Sequence, residues 1–251
     1  NYVYGTDRDG ESLAIAQERL APFSGRFSLF QADFKQIESL PIAVPRIDGF
    51  LFDLGVSSFQ LDSPHKGFSY ARPAPLDMRM DSRQPLTARQ VVNHYSYDAL
   101  FAVFKEYGEL KNPARLCQQI VFHRKQREIE TTADLKEIVR RILPRRPTMD
   151  PLARVFQAIR IEVNRELTGL EPFFQGLIDA MKPGARIVSI AFHSLEDRIA
   201  KSVLKTAREG GLIKILTPKP LTAGDQELSI NPRARSARLR AAEKICKKRV
   251  F

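Results

Sequence analysis

Apolar positions in the first 55 residues fall into short runs around one helical stretch. Val3-Tyr4-Gly5-Thr6 predicts a strand ending at Asp7. Residues 11–20 predict a helix, with Leu13, Ala16, Gln17 and Leu20 near helical spacing. Residues 27–30 predict a second strand. Residues 47–52 (Ile-Asp-Gly-Phe-Leu-Phe) predict a third, apolar enough to expect burial on both faces. Short apolar strands alternating with helix predict a parallel α/β sheet.

The period changes after residue 78, and no strand is expected between Thr87 and Leu167. Leu135, Ile138, Val139 and Ile142 sit at i, i+3, i+4 and i+7, an amphipathic helix with Thr131-Thr132 as cap candidates. Arg140-Arg141 and Arg145-Arg146 bracket a break at Leu143-Pro144. Asp150-Pro151 predicts a helix start, and Phe156, Ile159, Val163 and Leu167 predict that it runs to about Leu167 on one face. Strand character returns at residues 186–191, followed by a helix over 195–208 with Ser194 as its expected N-cap. Residues 212–216 and 237–241 predict a final antiparallel pair. The chain thus divides into 1–78, an all-helical insertion at 79–165, and 166–251.

Charge sharpens this division. The net charge is +11. Residues 1–78 carry 7 basic and 10 acidic groups, whereas 79–165 carry 17 and 10. Residues 166–225 are near neutral, and 226–251 carry 8 basic and 2 acidic groups. Such an uneven distribution points to a polyanion-binding surface, nucleic acid first. Two distant cysteines, Cys117 and Cys246, exclude a disulfide framework and suit a reducing cytosol. No apolar run is long enough for a membrane helix, and the first residues do not form a signal peptide.

Three acids end the three predicted N-terminal strands: Asp7, Asp33 (followed by Phe34) and Asp53. In a doubly wound sheet, a carboxylate there can accept from the ribose hydroxyls of a nucleotide-like cofactor. Asp33 with Phe34 could hold an adenine amino group and ring. The glycine-rich loop that opens such sheets is not found. Since a βαβ unit takes about 30 residues, the first strand and its loop are expected upstream of Asn1. The four histidines lack metal-ligand spacing, so no metal is expected. Gly55-Val56-Ser57-Ser58 is not a nucleophile elbow, and no Walker lysine loop occurs. His193, just past a strand end, is a pocket candidate. Arg160 and Asn164 share a helix face and could reach a base or phosphate. Arg233, Arg235, Arg238 and Arg240 nearly alternate, which on a strand would set several guanidiniums on one face for phosphates.

Longer strings point to a family. Asp53-Leu-Gly-Val-Ser-Ser-Phe-Gln-Leu-Asp62, Lys66-Gly-Phe-Ser69 and Pro75-Leu-Asp-Met-Arg-Met-Asp81 resemble the bacterial 16S rRNA cytosine-N4 methyltransferases of the MraW/RsmH type. So do Phe156-Gln-Ala-Ile-Arg-Ile-Glu-Val-Asn164, Phe192-His-Ser-Leu-Glu-Asp-Arg198 and Asn231-Pro-Arg-Ala-Arg-Ser236. The resemblance implies a class I S-adenosylmethionine-dependent methyltransferase fold, a Rossmann-like sheet with a helical substrate-recognition insertion. It implies N4 methylation of a cytidine in the decoding region of 16S rRNA, with free rRNA or the small ribosomal subunit as partner. Family cofactor contacts map onto Asp7, Phe34, Asp53 and Gln60. Asp53 is the natural catalytic candidate, with His193 and Ser57 as base-positioning groups, and Arg160, Asn164, Arg233 and Arg235 are expected on RNA. The family's glycine loop has no counterpart, and Gly108-Glu109-Leu110-Lys111-Asn112 departs from the usual Gly-Glu-Glu helix start. Two other readings stand beside this one: an rRNA-binding relative with impaired catalysis, and a Rossmann oxidoreductase.

Overall fold

A computed structural model describes residues 1–143 and 150–246, so the Arg145-Arg146 pair lies outside the described residues. Along the chain run β1 (Val3–Asp7), α1 (Gly10–Leu20), β2 (Phe27–Gln31), β3 (Gly49–Asp53), α2 (Ser58–Asp62), α3 (Ala88–His94), α4 (Tyr97–Glu106) and α5 (Ala114–Gln126). Then follow α6 (Thr132–Ile142), α7 (Pro151–Asn164), α8 (Leu170–Ala180), β4 (Arg186–Ala191), α9 (Ser194–Glu209), β5 (Ile213–Ile215), α10 (Asp225–Ile230) and β6 (Arg238–Lys244). They pack as two compact units, one of residues 1–31 and 56–166, the other of 32–55 and 167–251. Among the described residues, no helix is long and apolar enough to cross a membrane.

In the first unit, β1 and β2 pair in parallel, from Val3 opposite Phe27 to Asp7 opposite Gln31. Asp9 caps α1 by accepting from the Glu11 backbone N–H. The helical part closes over a core in which Phe104, Leu116, Ile120, Leu135 and Ile159 are fully buried. The period read for α6 is borne out: Leu135, Ile138 and Val139 face inward. Thr131 caps that helix, and Asp134 returns the bond to the Thr131 N–H. Such a reciprocal cap contributes about 1 kcal/mol. Both cysteines are free, and burial pushes the Cys117 thiol up to about 12.

Helix α7 starts as expected, with Asp150 accepting from the Leu152 N–H and gripped by both Arg140 guanidinium nitrogens at 2.8 and 2.7 Å. It ends earlier than its apolar spacing suggested. Arg165 turns left-handed at φ 48°, so Leu167 lies beyond the helix. The stop falls at Asn164, which is fully buried and bonds the Met78 carbonyl and Met80 N–H outside the helix as well as the Arg160 carbonyl within it.

The second unit is a four-stranded sheet in the order β3-β4-β6-β5. β3 runs parallel to β4, while β6 is antiparallel to both β4 and β5, as the C-terminal pattern suggested. Burial of β3 on both faces does not hold. Phe50 and Phe52 point inward, but Leu51 between them is 68% exposed. The buried side is an aromatic cluster, with the Phe52 ring 5.3 Å from Phe34, 5.5 Å from Phe173 and 5.3 Å from Phe174. One packed face is enough to account for the apolar pattern, since strand side chains alternate.

Two C-terminal expectations are corrected. The N-cap of α9 is His193, not Ser194; its side chain accepts from the Glu196 N–H. The Arg-rich stretch is not one strand. Arg233 and Arg235 lie in a short 3₁₀ helix (Pro232–Ser236), because Pro232 has no N–H to offer a ladder. Only Arg238 and Arg240 lie on β6, and both turn to one carboxylate, Asp197 of α9.

The turn joining α2 to the helical part depends on Gly67, whose φ is +69°. A Cβ there would stand 2.1 Å from the Pro75 carbonyl oxygen and 3.1 Å from the Asp77 nitrogen. Both obstacles are backbone and cannot swing away. Gly67→Ala is therefore expected to cost about 3 kcal/mol or more, read as a fall in denaturation midpoint, whereas Gly25→Ala, at an open position, costs less than about half that.

Candidate active site

In the first unit, the end of β1 sends consecutive side chains to different places. Asp7 accepts from the Asp9 N–H through Oδ1 at 2.8 Å. Burial pushes the Asp7 carboxyl above the usual carboxylate range, with the negative charge of Asp9 adding to it. Arg8 donates to the Asn164 carbonyl and to Gln84. Asp9 is 1% exposed and meets Gln60 Nε2 at 2.8 Å and Lys66 Nζ at 2.9 Å. Gln60 and Ser57 form a reciprocal cap on α2: Ser57 Oγ accepts from the Gln60 N–H, and Gln60 Oε1 accepts from the Ser57 N–H. The Asp7 carboxyl stands at the end of β1, where nucleotide-binding sheets place an acceptor for a ribose hydroxyl.

In the second unit, Asp33 follows β2 and caps a turn, accepting from the Lys35 N–H, with Lys35 Nζ at 3.5 Å. Phe34 is half-buried and packs edge-on to Phe173 at 5.2 Å. Its rings are rigidly seated, as a platform for a flat base requires. Asp53 ends β3 opposite Ile190 of β4. Protein atoms around it raise its carboxyl first, and the charge of Glu196 raises it further. Glu196 is 2% exposed and accepts from the Phe192 N–H.

His193 is a buried cap more than an open base. Its Nδ1 accepts from the Glu196 N–H, so the neutral ring carries its proton on Nε2. That Nε2 lies 3.2 Å from Glu196 Oε1 but out of hydrogen-bond alignment. The expectation that Arg160 and Asn164 meet RNA side by side also changes. Arg160 is held by Glu166 through two bonds of 2.9 and 2.8 Å. Asn164 gives its amide to the Met78 and Arg160 carbonyls and accepts from the Met80 N–H. Its side chain is committed to shaping the 78–80 turn. Arg233, Arg235 and Ser57 are exposed.

Asp9, Lys66 and Glu196 escaped the sequence reading. Asp9 stood two residues from Asp7 and could have been read as a cap from Asp-Gly-Glu. Lys66 beside a glycine gave no periodic signal, and its burial is purely tertiary. The carboxyls of Asp7 and Asp9 are opposites in energy. Burial tends to raise Asp9 too, but hydrogen bonds from Gln60 and Lys66 and the lysine charge outweigh it, and its carboxyl is lowered. Asp9 thus stabilises the fold above its ordinary value of 3.8, and that contribution is lost as pH falls through the lowered value. Asp7, being raised, costs stability above its range and ceases to as acid protonates it. At pH 7, Asp7→Asn should therefore leave the melting temperature unchanged or higher. Asp9→Asn should lower it, through a loss of about 3 kcal/mol of stability, because it breaks a buried pair.

Residues 1–245 match the model of the MraW methylase family. The chain is 44% identical to the ribosomal RNA small subunit methyltransferase H of Sulfurihydrogenibium azorense over 248 residues, covering 97% of this chain and 84% of that protein. It is likewise 44% identical to the protein of that name from Persephonella marina, over 97% of this chain and 85% of the relative. With the one from a Cyanothece species, identity is 46% over 97% and 80%. Motifs, strands and acids therefore agree on one ancestry: the chain belongs to the MraW methylase family, with its class I methyltransferase fold.

Proposed function

We propose that this protein methylates the exocyclic N4 of a cytidine in the decoding region of 16S rRNA, using S-adenosylmethionine as methyl donor. The observation that carries the reading is the family match along residues 1–245, whose relatives are named for methylation of small-subunit rRNA. The substrate is 16S rRNA, free or within the small ribosomal subunit, which places the work in the bacterial cytoplasm.

We assign Asp7, Asp33, Phe34, Asp53 and Gln60 to the methyl donor, Asp7 for the ribose and Phe34 for the adenine ring. When bound, S-adenosylmethionine supplies a methyl group on a positive sulfonium. The protein's task is then largely orientation. A cytosine amine has its lone pair delocalised into the ring, so the base must be held in line and its N–H hydrogens drawn aside by acceptors. Asp53, at the carboxyl end of β3, is the acceptor we assign, and its raised carboxyl suits it to receive a proton. Most of the rate comes from proximity, worth orders of magnitude when the geometry is right. His193 contributes by holding the turn before α9 through Glu196, and Ser57 lies exposed beside the α2 cap for base contact.

RNA affinity is assigned to the basic helical region and to Arg233 and Arg235. Helix α5 supports this: its thirteen residues contain no carboxylate. Arg115, Gln118, Phe122 and Lys125 share one exposed face, with Phe122 53% exposed between the two cations. An aromatic ring flanked by positive charge suits a stacked base and its neighbouring phosphates.

The test is methyl transfer from labelled S-adenosylmethionine to small subunits from cells lacking this modification, with the product nucleoside identified by mass spectrometry. N4-methylcytidine is expected; its absence from both free rRNA and subunits would refute the assignment. Asp53→Asn should lower kcat about 100-fold or more with melting temperature preserved. Arg115→Ala with Lys125→Ala should weaken RNA binding and reduce the slope of log K against log salt by about 2, with methyl-donor affinity unchanged.

A further inference from the structure

We propose that Asp9 and Lys66 are positioning residues for the methyl donor: their buried pair fixes the Asp7 carboxylate and the Gln60 amide that receive it. The inference rests on the assignment of Asp7 and Gln60 to S-adenosylmethionine made above. Lys66 is 6% exposed and Asp9 1%. Lysine at that depth is rare unless paired, and a buried ion pair is weak as a source of stability, since its desolvation offsets its attraction. What it supplies is fixed geometry.

The acceptor positions of Asp9 are filled. Oδ1 takes the Glu11 N–H at 3.0 Å and Lys66 Nζ at 3.0 Å. Oδ2 takes Gln60 Nε2 at 2.8 Å and Lys66 Nζ at 2.9 Å. A carboxylate held by three donor groups, one of them on both oxygens, is fixed in orientation. Gln60 is then fixed at both ends, its oxygen on the Ser57 N–H and its nitrogen on Asp9. Asp7 is held through the Asp9 backbone N–H, so the placement of Asp9 sets where the Asp7 carboxyl lies. Lys66 also meets Glu11 Oε1 at 3.1 Å, which ties the same ammonium to the first turn of α1.

The test compares Lys66→Met, Lys66→Arg and Asp9→Asn in the full-length enzyme, with Asp7→Ala as control. Calorimetry measures the Kd for S-adenosylmethionine, and steady-state methylation separates KM for donor from KM for RNA. Lys66→Met and Asp9→Asn should weaken donor binding tenfold or more and leave KM for RNA within twofold. Lys66→Arg, which keeps the charge and the donors, should recover binding to within about threefold of the parent. Scaling each Kd to the folded fraction, taken from binding stoichiometry, removes loss of fold from the comparison. If Asp7→Ala weakens donor binding while folded Lys66→Met binds like the parent, the positioning role is overturned and the Asp7 assignment survives. Equal losses for donor and RNA would also overturn it, as a general structural defect. If Asp7→Ala itself binds normally, the donor assignment fails and this inference falls with it.

Discussion

A carboxylate buried as deeply as Asp9 must have each oxygen satisfied or it would neutralise. That requirement organises the first unit around β1. It recruits a lysine from the turn after α2, a glutamine from α2 and a backbone N–H from α1. Once these are in place, the chain after β1 can follow only one path, and the turn at Gly67 must bend tightly enough to bring Lys66 inward. Gly67 with positive φ and the buried ion pair are therefore two parts of one solution, the first steric and the second electrostatic.

The second unit is held by different means. Its sheet packs one face of β3 against aromatic rings, and Asp197 gathers Arg238 and Arg240 of β6 onto α9. Arg240 is 7% exposed, so its charge is consumed within the protein. The basic C-terminal region therefore presents less charge to a polyanion than its composition implies. Among the described residues there, Arg233 and Arg235 are exposed on the short 3₁₀ helix that the strand pattern had concealed, and Arg238 is exposed beside Asp197.

Much of the fold was readable because local rules and tertiary contacts agree. The α6 stripe, the Thr131 cap and the Asp150-Pro151 start all formed where spacing and capping chemistry placed them. Strand positions were also readable, since short apolar runs bounded by acids have few alternatives. What was not readable turned on competition between partners that are distant in sequence. Ser194 had the composition of a cap, yet the histidine before it won the position because its Nδ1 could reach the Glu196 N–H. Arg160 and Asn164 were rightly placed on one helix, but no spacing rule reveals that Glu166 and the 78–80 backbone already hold them. In the candidate site, Asp7, Phe34 and Asp53 were legible at the ends of the predicted strands, and Gln60 through the family resemblance. Their support by Asp9, Lys66 and Glu196 was hidden, since burial of a charge leaves no periodic trace.

The consecutive residues Asp7, Arg8 and Asp9 each send a side chain to a separate partner, one on the backbone N–H that opens α1, one on the end of α7 and one on a buried lysine. Because the backbone between them is shared and short, a shift at any one displaces the other two. In evolutionary terms the triplet behaves as a single inherited character: substitutions within it are epistatic, their effects departing from additivity as those of contacting residues do.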